Sequence, residues 1–292
     1  MDSLESSNDK KNIFFITYVD SGKLVNSDGT NSFSFIIEGI EKAVHSHGYY
    51  LCFMTVSNDN LERELDRLSN NNCAGFILFA PEVSYEQLIY FNNLDIPFVL
   101  LENSFIDLSV SSVQENNHQG MKLAIDYLIQ SGHKKIGYLT SSLDYNCFKE
   151  RQHYAKKILK KYGLFNSDEE FFFPIGYPEQ ESYEGMKNLL CKSQELPDAF
   201  LSDCDLVAIG AIKACKDTGH IVPEDFSFVG FDNLPISSMI EPGLTTIHIY
   251  KDNLGTEAVE LLMKHLRNTA KCTSHTVLFT TLVERNSVSD IN

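Results

Sequence analysis

The sequence predicts an α/β protein made of two doubly wound, parallel-sheet lobes. Three observations carry this. Short apolar segments alternate with helix-spaced amphipathic ones from Ile13 to Arg285. The links between them are short, which calls for right-handed crossovers and sheets covered on both faces. A chain of 292 residues also supplies more strands than one small sheet holds, so two lobes are the economical arrangement.

The elements follow in order. Ile13–Val19 is short, apolar and rich in β-formers, and reads as the first strand. Phe33–His47 repeats apolar residues at Phe33, Ile36, Ile37, Ile40 and Val44, a helical spacing closed by Gly48. Tyr49–Val56 reads as a strand, Asn58–Asn71 as a polar-faced helix capped by Asn58 or Asp59, and Gly75–Ala80 as a buried strand ended by Pro81. Helix Tyr85–Asn92 and strand Phe98–Leu101 complete a third unit. The rhythm continues through helix Gln119–Ser131, strand Lys135–Thr140, helix Lys149–Tyr162, helix Ser182–Ser193 and strand Ala199–Ser202. Helix Asp205–Thr218 has Asp205 as its expected N-cap. Strand Ser227–Phe231, helix Asp252–Arg267 and one alternating strand, Val277–Arg285, close the series. The longest loop, Asp20–Asn31, follows the first strand, where a ligand loop belongs.

Composition narrows the function. A net charge of −16 with no basic block argues against a chain that grips nucleic acid by itself. Seven cysteines, an odd number without a C-x-x-C pair, suit a reducing cytoplasm and a role as small buried hydrophobes. No run is long and apolar enough to span a bilayer, and Met1–Lys11 has no signal-peptide core. The nucleophile-elbow, zinc-protease, dinucleotide and P-loop motifs are absent. His45 and His47 do not share a helix face, and no Cys–His pair forms a nucleophile and base. The expectation is a protein with no catalytic constellation, no metal site and no cofactor, acting in the cytoplasm without a membrane partner.

The most specific stretch is Val222-Pro-Glu-Asp-Phe-Ser-Phe-Val-Gly-Phe-Asp-Asn-Leu-Pro235, followed by Pro242-Gly-Leu-Thr-Thr-Ile247. Together they resemble the signature of the lactose/galactose-repressor family. Ser131-Gly-His-Lys-Lys-Ile-Gly-Tyr138 resembles the family's helix-to-strand turn, and Asp205-Leu-Val-Ala-Ile-Gly-Ala211 its helix start. Asn116-Asn-His-Gln-Gly120 resembles the D-N-x-x-G crossover, with Asn in place of Asp. The resemblance runs in family order from Ile13 to about Arg285.

It implies a type I periplasmic-binding-protein-like fold, two lobes joined by three crossovers. On that pattern residues 12–113 and 247–269 form the N-terminal lobe, and 114–246 with 270–292 the C-terminal lobe. Residues 1–11, with Leu4–Lys11 as a hinge remnant, are too few for the family's helix-turn-helix head. The resemblance further implies a homodimer that senses a small effector, a sugar, in the inter-lobe cleft. It reaches operator DNA only through a head outside this chain. The alternative is an exported sugar-binding protein of a transporter, which shares the fold.

Sugar sites combine planar charged groups that take hydroxyl pairs with aromatic faces that cover the ring's C–H side. By resemblance, Arg151 falls at the family's sugar-hydroxyl arginine, and Asp232 at the carboxylate that meets the ligand after a strand. Glu102 matches a second acid at a strand end. Phe33 matches an aromatic at the start of the first helix, yet it also fits that helix's core stripe. Tyr177 matches a loop aromatic and lies off any periodic core pattern, which favours it for stacking. The family's Asn before the helix-start Asp is Cys204 here, a weak hydrogen-bonding partner. Neighbouring Asp203 is a compensating candidate, although strand alternation can turn it elsewhere. With these acids near the site, an anionic ligand is disfavoured.

Overall fold

A computed structural model describes residues 12–19, 32–105, 107–192 and 195–292 of the chain. The expected hinge stretch Leu4–Lys11 and the loop Asp20–Asn31 lie outside the described residues. The first unit opens with β1 (Asn12–Tyr18), α1 (Ser32–Ser46), β2 (Tyr50–Val56), α2 (Leu61–Asn70) and β3 (Cys73–Phe79). It continues with α3 (Tyr85–Asn92), β4 (Phe98–Leu101) and β5 (Ser112–Glu115), whose last residue, Glu115, already belongs to the second unit. The second unit holds α4 (Asn117–Gln130), β6 (Ile136–Thr140), α5 (Asn146–Tyr162), the short α6 (Asp168–Phe171) and β7 (Phe172–Pro174). Then come α7 (Glu179–Leu190), β8 (Ala199–Ser202), α8 (Asp205–Asp217), β9 (Ser227–Asp232) and β10 (Thr245–His248). The chain returns to the first unit with α9 (Lys251–Leu266) and β11 (His275–Leu278), and ends in the second with β12 (Thr281–Val283).

Each unit is a six-stranded sheet. The first has the order β11-β5-β4-β3-β1-β2, the second β12-β10-β9-β8-β6-β7. In the second, β6–β7, β6–β8, β8–β9 and β9–β10 pair in parallel, and only β12 is antiparallel. Parallel sheets bury both faces, so inner strands are apolar along their length. β3 and β9 accordingly run as CAGFILF and SFVGFD with almost every residue buried, while edge strand β2 exposes Tyr50 and Phe53. The first core gathers Ile16, Tyr18, Phe76, Leu78 and Leu100. The second gathers Leu139, Phe200, Phe228, Ala211 and Ile212, with Phe200 stacked on Phe228 at 5.6 Å.

Helix starts follow local chemistry. Ser84 and Gln87 form a reciprocal capping box at α3: each side chain bonds the other's backbone N–H. Asn116 caps α4 by accepting from the Gln119 N–H at 2.9 Å. The expected cap of α8 is different: Cys204 occupies that position without a side-chain bond, and Asp205 is the first helical residue. At α2 the cap position falls to Asn60 rather than Asn58 or Asp59.

Two boundaries also depart from expectation. Thr246 and Ile247 stay in the second sheet, in register with Gly230 and Phe231, so that unit runs on to Tyr250. Residues 270–278 belong to the first unit, where the Ser112 N–H donates to the Ser274 carbonyl at 2.9 Å. The single strand expected over Val277–Arg285 is two strands in two sheets. Gln119 of α4 is the reason: its amide donates to the Thr280 carbonyl and accepts from the Thr280 N–H, both at 2.9 Å. That occupies the backbone groups a continuous ladder would need. Among the described residues no helix is long and apolar enough to cross a membrane.

Candidate functional site

In the second sheet the chain runs outward from β6 to β7 on one side and from β8 to β9 and β10 on the other. β6 and β8 are neighbours at this reversal, and open parallel sheets bind ligands beyond the carboxyl ends of such strands. Those ends are Thr140 and Ser202, and the residues that follow are Ser141 and Asp203. Asp203 ties the two ends together. Its carboxylate accepts from the Ser141 N–H at 2.7 Å and from Gln152 Nε2 at 3.0 Å. It is wholly buried, and burial raises its pKa against the pull of these donors.

Arg151 enters from α5 and is 2 % exposed. Its Nε donates to Asn117 Oδ1 at 2.8 Å, Nη1 to the Asp203 carbonyl at 2.7 Å, and Nη2 to Glu115 Oε1 at 2.9 Å. Asp232 Oδ1 stands 3.9 Å from Nη2. The guanidinium lies 3.9 Å from the centre of the Phe231 ring, with Phe148 at 5.4 Å. Burial opposes its charge, but Cys147, Asp232 and Glu115 together raise its pKa above the ordinary value. The cation is therefore held by its own unit on three edges and one face. Phe231 reaches it because α4 carries Gly120, where a Cβ would stand 2.7 Å from Phe231 Cζ.

Asp232 is the last residue of β9, with φ of +111°, and Asn233 follows at +53°. Two successive non-glycine residues at positive φ are costly, and such strain clusters at functional sites. The turn is clamped from outside. Asp205 accepts from the Leu234 N–H at 2.7 Å and from the Ser237 and Thr246 hydroxyls at 2.5 Å. Arg285 Nη2 donates to Asn233 Oδ1 at 2.6 Å. Gly230 leaves the space for the Asp205 carboxylate, which a Cβ there would strike. Burial, then the Asp232 carboxylate, push the Asp205 pKa up to about 7. Burial and Asp232 also push the Cys204 thiol far up, so it stays protonated and unreactive.

The expected site residues thus divide. Arg151, Asp203, Cys204 and Asp232 come together in the second unit. Asp203 is engaged internally, with its carboxylate on Ser141 and Gln152. Tyr177 is partly buried against the second core rather than standing off it, because the chain before α7 folds back on that core. Phe33 and Glu102 belong to the first unit. Phe33 packs edge-on against Phe79 at 4.3 Å and Phe15 at 6.2 Å, while Glu102, just after β4, sits at φ +57°. The sequence does not single out Glu115, Asn117 or Gln152; the first two bond Arg151, and Gln152 bonds the Asp203 carboxylate. One signal for Glu115 existed: it immediately precedes the Asn116–Gly120 motif.

A cavity of about 530 Å³ lies elsewhere in the second unit, lined by Lys134, Lys135, Phe165, Phe171, Glu195 and Pro197. It sits at the amino end of β6, the end parallel sheets do not use for ligands. Among the described residues no group of three or more His, Cys, Asp or Glu is arranged to hold a metal ion.

Comparison with known proteins bears on the family and the fold. Residues 125–288 match the family described as periplasmic binding protein-like domain. The HTH-type transcriptional repressor PurR of Pasteurella multocida is 31% identical over 274 residues, covering 91% of this chain and 80% of that protein. The LacI family transcriptional regulator from Enterococcus faecium, solved with bound ribose, superposes with a TM-score of 0.81 at 22% identity, over 97% of this chain and 100% of that one. The transcriptional regulator CelR–cellobiose complex superposes with a TM-score of 0.84 at 22% identity, over 95% and 84%. On the sequence match, with the two-sheet fold and the signature at Val222–Pro235 behind it, this chain belongs to the lactose/galactose-repressor family of transcription regulators, as its effector-binding core.

Proposed function

We propose that the chain senses a small neutral sugar and converts its binding into a change in the DNA affinity of an attached helix-turn-helix head. The observation that carries this reading is the Arg151 cluster, which places a fixed guanidinium and the Asp232 carboxylate at the carboxyl-end switch point of the second sheet. Paired charged groups held rigidly are suited to hydroxyl pairs, and the ribose- and cellobiose-bound neighbours support that class of ligand. Arg151, Asp203 and Asp232, with Cys204 at the helix start, are the candidate ligand residues of the second unit; Phe33, Glu102 and Tyr177 remain candidates by family resemblance. The protein acts in the cytoplasm as a homodimer, without catalysis and with no cofactor. The apolar Tyr50 and Phe53 exposed on edge strand β2 fit a partner surface.

The effector acts only through differential affinity for two states of the regulator. An exported transporter protein finds no support in relatives that are transcriptional repressors. The test is operator binding by a head-bearing form, with and without the sugar that stabilises this chain most. A shift in operator affinity is expected, in either direction. Tight sugar binding with no change in operator affinity contradicts the reading.

A further inference from the structure

We propose that Glu115 is a specificity-determining ligand residue whose second carboxylate oxygen accepts a hydrogen bond from the effector, which is therefore a neutral, donor-rich polyol. The inference rests on the effector reading above and sharpens it.

Glu115 ends β5 and is 1 % exposed. Its Oε1 is taken by Arg151 Nη2 at 2.9 Å, and its Oε2 meets no hydrogen-bond partner among the described residues. The Tyr138 hydroxyl is also buried and without a well-formed bond, but it leans on the Asp203 carboxylate, which leaves Glu115, among the described residues, as the acid with an unmet oxygen. A buried acceptor left without a donor costs about 1–3 kcal/mol, and folded chains rarely tolerate one without a use for it. Around Arg151 the chain has satisfied almost everything else: Asn117, Gln152, Ser141 and the Asp203 carbonyl are all engaged. The hydrogen-bonding network stops at Glu115 Oε2.

The donor count points the same way. A guanidinium has five N–H groups, and three nitrogens of Arg151 already donate within the chain. Arg151 can thus give a ligand few donors. Beside it stand the carboxylates of Glu115 and Asp232, with the buried Asp203 carboxylate close by, against this one cation. In a water-poor setting a further negative charge meets strong repulsion. Metal binding does not balance the acids, since no described group is arranged for it. A molecule that brings hydroxyl donors does. Glu115 offers a fully buried carboxylate oxygen that no described residue occupies.

The test is calorimetric titration of the whole chain and its Glu115→Gln variant with D-glucose, D-ribose, cellobiose, glucose 6-phosphate and the monodeoxy forms of the neutral sugar that binds best. Glutamine keeps the size and one oxygen for Arg151 but puts an N–H where the acceptor stood. The expected result is a neutral sugar that binds the wild type and is weakened about tenfold or more by Glu115→Gln. That loss should disappear for one deoxy form, the one missing the bonded hydroxyl. Glutamine keeps a neutral hydrogen bond to Arg151 Nη2, so the unliganded variant should stay folded and unfold cooperatively. Equal affinity of both proteins for the same sugar overturns the proposal. So does tighter binding of glucose 6-phosphate than of glucose, or an equal loss for every deoxy form together with a lower melting temperature, which marks Glu115 as a strut for Arg151. The first and third outcomes leave the effector reading standing, whereas the second also contradicts its neutral sugar. A wild type that binds none of the sugars overturns that reading and the inference with it.

Discussion

Arg151 and Asp205 show how single residues set the site. Arg151 is a buried cation whose partners all come from its own unit, so its position is fixed before any ligand arrives. Asp205 fixes the other side by clamping the strained Asp232–Asn233 turn through Leu234, Ser237 and Thr246. Its pKa moves from 3.8 to about 7 on folding, through burial and the Asp232 carboxylate. Between those values the folded chain holds a proton the unfolded chain has released. The stability linked to Asp205 is therefore complete below the unfolded value and is lost as pH rises through about 7. Asp205→Asn removes this dependence. Urea unfolding from about pH 4 to about pH 8 should show the variant gaining on the wild type as pH rises; a constant difference contradicts the assignment. At this scale the sequence exposed Arg151 and Asp232 through a family motif and a strand end. It could not expose Gln152 or Ser141, whose roles depend on which side chains meet across the fold, and for Glu115 it offered only a place just before the Asn116–Gly120 motif.

Helix α4 and strand β9 meet at a single small residue, and the site depends on that contact. Gly120 lets the Phe231 ring close against the helix and present its face to Arg151. Gly120→Ala places a methyl group 2.7 Å from Phe231 Cζ and 3.2 Å from Ile247 Cγ2. Overpacking of this kind costs about 1–3 kcal/mol, and the ring must tilt away from the guanidinium. The variant should lose that much in urea unfolding and bind the effector more weakly. Unchanged stability and affinity contradict the packing described. Elements were most readable where they were long or sharply bounded. α3, β4 and β8 fall on their expected residues, since each is bracketed by clear turn or capping signals. β5, β7 and β10 span only 4, 3 and 4 residues, too short for a periodic signal, and β5 (SVQE) is largely polar. The Val277–Arg285 strand fails for a tertiary reason, the capture of Thr280 by Gln119, which no local pattern carries.

For the whole molecule, the alternation of apolar and amphipathic segments was enough to reveal two doubly wound sheets. The positions where the chain leaves each unit were harder, because β10 and β11 extend sheets whose edges are set by pairing rather than by composition. The net charge of −16, with no basic block, argues against DNA contact by this stretch of chain itself. The central claim is that the effector binds at the carboxyl ends of the second sheet around Arg151. Amide hydrogen exchange tests it most directly, comparing the chain alone with the chain saturated by the sugar that stabilises it most. Protection is predicted in the segments after β6, β8 and β9, at residues 141–152, 203–206 and 232–237. Protection confined instead to the cavity at Lys134–Ile136 and Phe165–Phe171, or protection nowhere above that of the unliganded chain, contradicts it.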